Sequence, residues 1–152
     1  MMSQGRFLNP HIDNSHDAPS PYYRTLNLLY NVTPGWHAND AGNLELWDRR
    51  VRAKATIPSL FNRLVVMETT PWSWHSVSQV IVDATRCCVA NYRFLPNSPT
   101  GGPYFHLTAL SAGPEQSLRR SGSWMDNRLL QGVRRVFPRG LGRTDVYRGK
   151  DA

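Results

Sequence analysis

Hydrophobic and polar residues alternate in short runs along the first 110 residues of the chain. The alternation is clearest in residues 23–32, where Leu26, Leu28 and Tyr30 fall on one face. A period of two places successive side chains on opposite faces of a strand, so each alternating run predicts a strand. The predicted strands are 6–12, 23–32, 43–47, 53–57, 63–68, 73–82, 86–94 and 104–110.

Turn-forming residues divide these runs. The chain of 152 residues contains eleven prolines and eleven glycines, which are spread along it. Long helical bundles and coiled coils are therefore disfavoured, because both residues interrupt helices. Short strands separated by turns are typical of a sandwich or a barrel, and we predict a mainly β fold.

The pattern changes near the C-terminus. Four apolar residues recur there at spacings of four, four and three, namely Met125, Leu129, Val133 and Val136. This spacing predicts an amphipathic helix, with Ser123 as its N-cap and Pro138 and Gly140 beyond its end. We therefore predict a β core over residues 1–110 and an extension over residues 111–152 whose helix packs on the core.

The charge of the chain is uneven. Arginine supplies 16 of the 18 basic residues, the net charge is +7, and residues 111–152 carry nine basic and four acidic residues. Such an excess attracts anionic partners, nucleic acid among them. These basic residues are dispersed and form no dense run, so we prefer a solvated face and do not expect a nucleic-acid partner.

The sequence also predicts a compartment. No apolar run approaches the roughly 20 residues of a membrane helix, and the first ten residues lack the apolar stretch of a signal peptide. Cys87 and Cys88 are adjacent, so on a strand they face opposite sides. We prefer strand packing of at least one thiol to metal binding. Two thiols without a disulfide framework suit a reducing compartment, so we predict a cytoplasmic protein with no membrane partner.

His11 and Asp13 are the first candidate metal ligands. At positions i and i+2 of an extended segment, both side chains point to the same face and reach one metal without strain. His75, on a later alternating segment, is the leading candidate for the third ligand. Two histidines and one carboxylate form the facial triad of non-haem Fe(II) oxygenases, which leaves three coordination positions open. The alternative for His75 is a half-buried histidine with ordinary hydrogen bonds.

Arg86 is a candidate anion-binding residue. It stands eleven residues after His75, at the start of a predicted apolar strand. An arginine directed into a barrel needs a buried anion, and its planar fork suits a carboxylate. The alternative is a surface arginine at the start of a strand.

Five separated motifs carry a resemblance to a known family. In chain order they are NPHID (9–13), YRTLNLLYNVTPGW (23–36), AGNLELWD (41–48), FNRLVVMETTPWSWHSV (61–77) and RCCVANYRF (86–94). Over residues 6–94 the chain resembles the 2-oxoglutarate- and Fe(II)-dependent dioxygenase superfamily, in its prolyl 4-hydroxylase-like branch.

The resemblance implies a double-stranded β-helix, the jelly roll of cupin-like barrels. It implies Fe(II) held by His11, Asp13 and His75 as the catalytic centre, with the far carboxylate of 2-oxoglutarate on Arg86. It further implies O2 as a cosubstrate, ascorbate as a candidate reductant, and succinate and CO2 as products. The substrate it implies is a C–H bond of a peptidyl, prolyl-type group or of a small molecule, which becomes hydroxylated.

The chain departs from the family pattern in three places, the smallest of which is Ala41-Gly42 where Gly-Gly is common. Only ten residues precede His11, where family members usually have two or more strands and some helix. We therefore expect an N-terminally short core, which a homo-oligomer or a partner strand could complete. A Tyr-Tyr pair is common where this chain has Tyr30 and Asn31, and the second tyrosine often contacts the far carboxylate. Asn31 is thus the second cofactor-binding candidate.

Two other classes of function stay open at this point. One is a non-catalytic jelly-roll binding module, or an inactive fragment, whose basic tail holds an anionic partner. The other is a different metal enzyme on a cupin-like barrel. Cupins typically supply more histidines at the first motif, so Asp13 counts against the second alternative.

Overall fold

The alternating segments form β-strands in the computed structural model. The structure describes residues 1–16 and 22–112, together with Pro114, Leu129 and Gly132. Within residues 1–16 and 22–112, helix is limited to a 3₁₀ turn at Ala38–Asp40. The strands are β1 (Leu8–Ile12), β2 (Tyr23–Asn31), β3 (Leu44–Trp47), β4 (Lys54–Ile57), β5 (Arg63–Glu68), β6 (His75–Val77), β7 (Cys88–Leu95) and β8 (Ala109–Leu110).

The strands assemble into two antiparallel sheets. One has the order β4-β3-β6-β1-β8 and the other the order β5-β2-β7. Each pairing crosses between segments that are distant in the chain, apart from the β3–β4 hairpin. Two antiparallel sheets with almost no helix confirm the predicted mainly β, jelly-roll fold.

Two strands are much shorter than the alternation predicts. The predicted strand 73–82 contracts to His75–Val77, because the following residues leave the sheet. Val80 instead exchanges backbone hydrogen bonds with the N-terminal segment, where its carbonyl accepts from Gly5 (2.8 Å) and its N–H donates to Arg6 (3.0 Å). The predicted strand 104–110 contracts to Ala109–Leu110, which pairs with the end of β1.

Arg86 lies just outside a strand, which corrects its predicted place at a strand start. β7 begins at Cys88, whose partner on β2 is Asn31. The backbone of Arg86 forms an isolated bridge with Met2 instead, with N–H to carbonyl distances of 2.8 and 2.9 Å. The N-terminal segment thus holds the backbone of Arg86 from a distance of 84 residues along the chain.

The polar face of β2, rather than its apolar face, is turned inward. Asn27 and Asn31 are each 3% exposed, whereas Tyr30 on the opposite face is 40% exposed. The outward face continues across β5 through Leu64 and Val66, both exposed. The predicted alternation is therefore present, but the inner face of this strand carries two buried amides, those of Asn27 and Asn31.

Parts of the sequence-based interpretation fall outside the described ranges. The helix predicted from Ser123 lies there apart from Leu129 and Gly132, and it stays a prediction, as does the division at residue 110. Both Cys87 and Cys88 are free thiols of intermediate burial. Nowhere in the described ranges does a helix reach the length and apolarity needed to cross a membrane.

Candidate metal centre

His11 and His75 face each other across two paired strands. They are direct partners in the antiparallel register of β1 and β6, and their ring centroids lie 4.1 Å apart. Both are buried, at 8% and 4% exposure. Side chains at opposed positions of an antiparallel pair are close neighbours, so the sheet register itself brings the two imidazoles together.

Each imidazole is oriented by a carbonyl two residues before it. Nδ1 of His11 lies 2.9 Å from the carbonyl oxygen of Asn9, and Nδ1 of His75 lies 3.0 Å from that of Ser73. A carbonyl only accepts, so each Nδ1 carries the proton when the ring is neutral. The lone pair of each Nε2 is then available to a metal, which is the arrangement that orients many histidine ligands.

Asp13 completes the cluster, since the chain leaves β1 at Ile12 and turns its carboxylate toward both rings. Its Oδ1 lies 3.9 Å from Nε2 of His11, and its Oδ2 lies 3.8 Å from Nε2 of His75. One ligand atom from each residue falls within 4.8 Å of the other two. Two imidazoles and one carboxylate are a donor set that fits Fe(II) and leaves coordination positions open.

The electrostatic setting favours the neutral form of His75. Burial lowers its pKa, and the neighbouring ring of His11 lowers it as well. The hydrogen bond to Ser73 and the charge of Asp13 act in the opposite direction but do not reverse the lowering. A neutral imidazole is the form that ligates metals.

Arg86 is a buried cation with no acidic partner among the described residues. It is 6% exposed, and burial lowers its pKa. Its Nη2 donates to Oδ1 of Asn31 at 3.0 Å, its Nη1 lies 3.8 Å from the sulfur of Met2, and its Nε has no hydrogen-bond partner. A buried charge left in this state is costly, so the site suits an anion that supplies the missing acceptor.

Asn31 supports the arginine. Its Oδ1 accepts from Arg86, and its Nδ2 donates to the carbonyl of Arg63 at 3.3 Å. The amide therefore connects the guanidinium of Arg86 to the neighbouring strand β5 through these two hydrogen bonds. Both of its polar ends have partners on the protein itself.

Sequence reasoning missed two residues beside Asp13. Asn27 donates from Nδ2 to Oδ2 of Asp13 at 3.2 Å, and Nη1 of Arg24 lies 3.9 Å from Oδ1. A register shift between Arg24 and Leu26 lies where β2 brings that arginine to the carboxylate. The polar side chains on one face of β2 could have indicated Asn27. The approach of Arg24 could not be predicted, because an alternating pattern does not reveal a bulge.

The outer face of the five-stranded sheet carries a separate groove of about 310 Å³. Ser76 belongs to this face, since it follows His75 directly on β6. Its hydroxyl donates to Glu45 at 2.7 Å and accepts from the indole of Trp47 at 2.8 Å, while Lys54 pairs with Glu45. These polar groups are hydrogen-bonded or ion-paired to one another, so we interpret them as a structural network and not as a ligand site.

The fold and the cluster together define a class of protein. Residues 1–94 match the family model of the 2OG-Fe(II) oxygenase superfamily. Because this match covers more than half of the chain, the chain belongs to that family. The resemblance drawn from the five motifs is thereby confirmed.

A relative among characterised proteins agrees with this placement. The chain is similar to prolyl 3-hydroxylase OGFOD1 of Mus musculus, with 32% identity over 97 residues. The alignment covers 59% of this chain and 17% of the mouse protein, so the chain spans a small part of that relative's length.

Proposed function

We propose that this chain is a 2-oxoglutarate- and Fe(II)-dependent dioxygenase that hydroxylates a C–H bond. The observation that carries the proposal is the convergence of His11, Asp13 and His75 inside the barrel, with ligand atoms within 4.8 Å of one another. Membership of the oxygenase family supports the same assignment.

Each residue has a defined task in this proposal. His11 and His75 would hold Fe(II) through deprotonated Nε2 atoms, and Asp13 would hold it through a carboxylate oxygen. Iron bound there would supply the coupled oxidation in which one oxygen atom of O2 goes to succinate as 2-oxoglutarate loses CO2, and the other hydroxylates the C–H bond. Arg86 holds the far carboxylate of 2-oxoglutarate through its unpaired Nε and its guanidinium edge. Asn31 keeps that guanidinium in place.

The substrate we propose is a peptidyl, prolyl-type group or a small molecule. Support for the peptidyl class comes from the mouse relative, which is named a prolyl 3-hydroxylase. O2 is the cosubstrate in this proposal, and ascorbate is a candidate reductant. A cytoplasmic location, and assembly with a second copy or with a partner strand, stay predictions.

Succinate formation tests the proposal. Purified chain is incubated with Fe(II), ascorbate, 2-oxoglutarate and O2, alone and with proline-containing peptides, and succinate is measured. We expect turnover by the wild-type chain and none by His75→Ala. Ser78→Ala is the control variant. The hydroxyl of Ser78 accepts a hydrogen bond from the backbone N–H of Asn43, so its loss should leave turnover intact. Equal succinate from wild type and His75→Ala would contradict the proposal and favour a non-catalytic binding module.

A further inference from the structure

Asn27 is a buried amide on the inner face of β2 beside the candidate metal centre. It is 3% exposed, and its Nδ2 lies 3.2 Å from Oδ2 of Asp13. An ionised carboxylate only accepts hydrogen bonds, so the NH2 end of the amide must be the end that faces Asp13. The other end, Oδ1, is buried without a hydrogen-bond partner. The chain therefore retains a costly buried polar group at the position where it contacts this carboxylate.

The carboxylate of Asp13 lies between two competing attractions. On one side are the two imidazoles: Nε2 of His11 lies 3.9 Å from Oδ1, and Nε2 of His75 lies 3.8 Å from Oδ2. On another side is the guanidinium of Arg24, whose Nη1 lies 3.9 Å from Oδ1. Arg24 stacks on the ring of Tyr92 at 3.8 Å, and its Nε has no partner. An ion pair formed directly with Arg24 would draw the carboxylate away from the imidazoles.

We infer that Asn27 is a positioning residue, which holds the Asp13 carboxylate in the rotation that faces both imidazoles. The terminal torsion of an aspartate is broad, so the carboxylate plane needs a partner to fix it. The Asn27 amide is a short, buried donor on a strand, and it fixes Oδ2 without carrying a charge that competes with the metal. Hydrogen bonds to a ligating carboxylate commonly tune metal affinity. This inference rests on the proposed function, since it concerns the same metal centre.

Metal binding measured without turnover tests the inference. Apo protein is titrated with Mn(II), and free Mn(II) is followed by its electron paramagnetic resonance signal. We expect Asn27→Leu to raise the Kd for Mn(II) by about 10–100-fold, because the carboxylate loses its fixed rotation. Asn27→Ala is the second variant, which removes the same donor with a smaller side chain. Thermal unfolding of the apo variants establishes that each is folded.

Asn31→Leu is the matched control, since it removes a buried amide from the same face of the same strand. Asn31 contacts Arg86 and Arg63 instead of Asp13, so its loss should leave the Kd for Mn(II) within about twofold of wild type. Weaker Mn(II) binding in the folded Asn27 variants, with normal binding by Asn31→Leu, supports the inference. Normal binding by the folded Asn27 variants overturns it alone, as does equal weakening by Asn31→Leu. Absence of Mn(II) binding by the wild-type chain overturns the inference together with the proposed function.

Discussion

The two buried asparagines of β2 contact two different groups in the barrel interior, and the surroundings of these groups are built differently. Asn27 reaches Asp13 at the metal end, and Asn31 reaches Arg86 at the arginine end, about 13 Å further along the strand. At the metal end, the register of two paired strands places His11 opposite His75. At the arginine end, an isolated bridge to Met2 holds the arginine backbone.

This difference separates a site built by one strand pairing from a site built by several segments. The metal end follows from a short motif and one strand pairing, so its geometry is a property of the sheet. The arginine end needs the N-terminal segment, β2 and the turn at Gly42 to meet around one side chain. We therefore expect variants at the metal end to act through metal affinity. Variants at the arginine end should act on 2-oxoglutarate affinity, and those that disturb the packing around Arg86 should also change stability.

The largest effect is expected at the metal end, from Asp13→Ala. Mn(II) at about 100 times its Kd should raise the free energy of unfolding of the wild-type chain by about 2.7 kcal/mol. A chelator such as EDTA should remove this increment. Asp13→Ala should lose this increment, since one of three ligands is gone. Thermal unfolding with and without Mn(II) measures it. Asp83→Ala, at an exposed carboxylate, is the control that should keep it. A full increment in Asp13→Ala would contradict the account.

The next effect is expected at the arginine end, from Arg86→Leu. Loss of a buried charged donor should weaken 2-oxoglutarate binding by about 2 kcal/mol, which is roughly 30-fold. The apo protein should be as stable as wild type or more so, because a buried charge without an acidic partner is removed. Calorimetry with 2-oxoglutarate and Mn(II), and urea unfolding, measure the two quantities. Arg93→Leu, at an exposed arginine of β7, should change neither by much, and equal affinity in both variants would count against the assignment.

A smaller effect is expected from Gly42→Ala, which tests the packing around Arg86. Gly42 has a φ of +62°, and a Cβ there would lie 3.0 Å from Cδ of Arg86 and 3.0 Å from Cγ2 of Val80. The left-handed backbone alone should cost about 1–2 kcal/mol. Gly35→Ala shares that cost, at a φ of +69° with open space around its Cβ. We expect only Gly42→Ala to weaken 2-oxoglutarate binding as well. Equal affinities of the two variants for 2-oxoglutarate would show that packing at Gly42 does not position Arg86.

The smallest effect is expected from Ala41→Gly, which relieves strain next to Gly42. Ala41 has φ 60° and ψ −144°, a region that is essentially restricted to glycine. Glycine should raise the free energy of unfolding by about 1 kcal/mol and leave both ligand affinities unchanged. Urea unfolding measures this difference. Ala38→Gly, within the 3₁₀ turn, should instead destabilise by about 0.5–1 kcal/mol. Destabilisation by Ala41→Gly would show that the turn is not strained.

The same contrast explains what could be predicted from the sequence. The spacing of His11 and Asp13 in the sequence does not depend on strand register, so their clustering with His75 could be predicted once His75 was chosen as the third member. Their role as metal ligands stays a prediction. Arg86 was identified as an anion-binding candidate, but its position outside β7 depends on the bridge to Met2, which no periodicity encodes. Arg24 was missed because a register shift lies where it meets Asp13. The buried amides of β2 were visible as a polar face, but only the structure establishes that this face is the inner one.

An anaerobic titration tests whether His11, Asp13 and His75 form an iron centre. Fe(II) and 2-oxoglutarate are added anaerobically to the apo chain, and the visible charge-transfer band of the iron–2-oxoglutarate chelate is recorded. We expect a saturable band in the wild-type chain, its loss in His75→Ala, and a shift to higher 2-oxoglutarate concentration in Arg86→Leu. A folded wild-type chain that develops no band would contradict the assignment of His11, Asp13 and His75 as an iron centre.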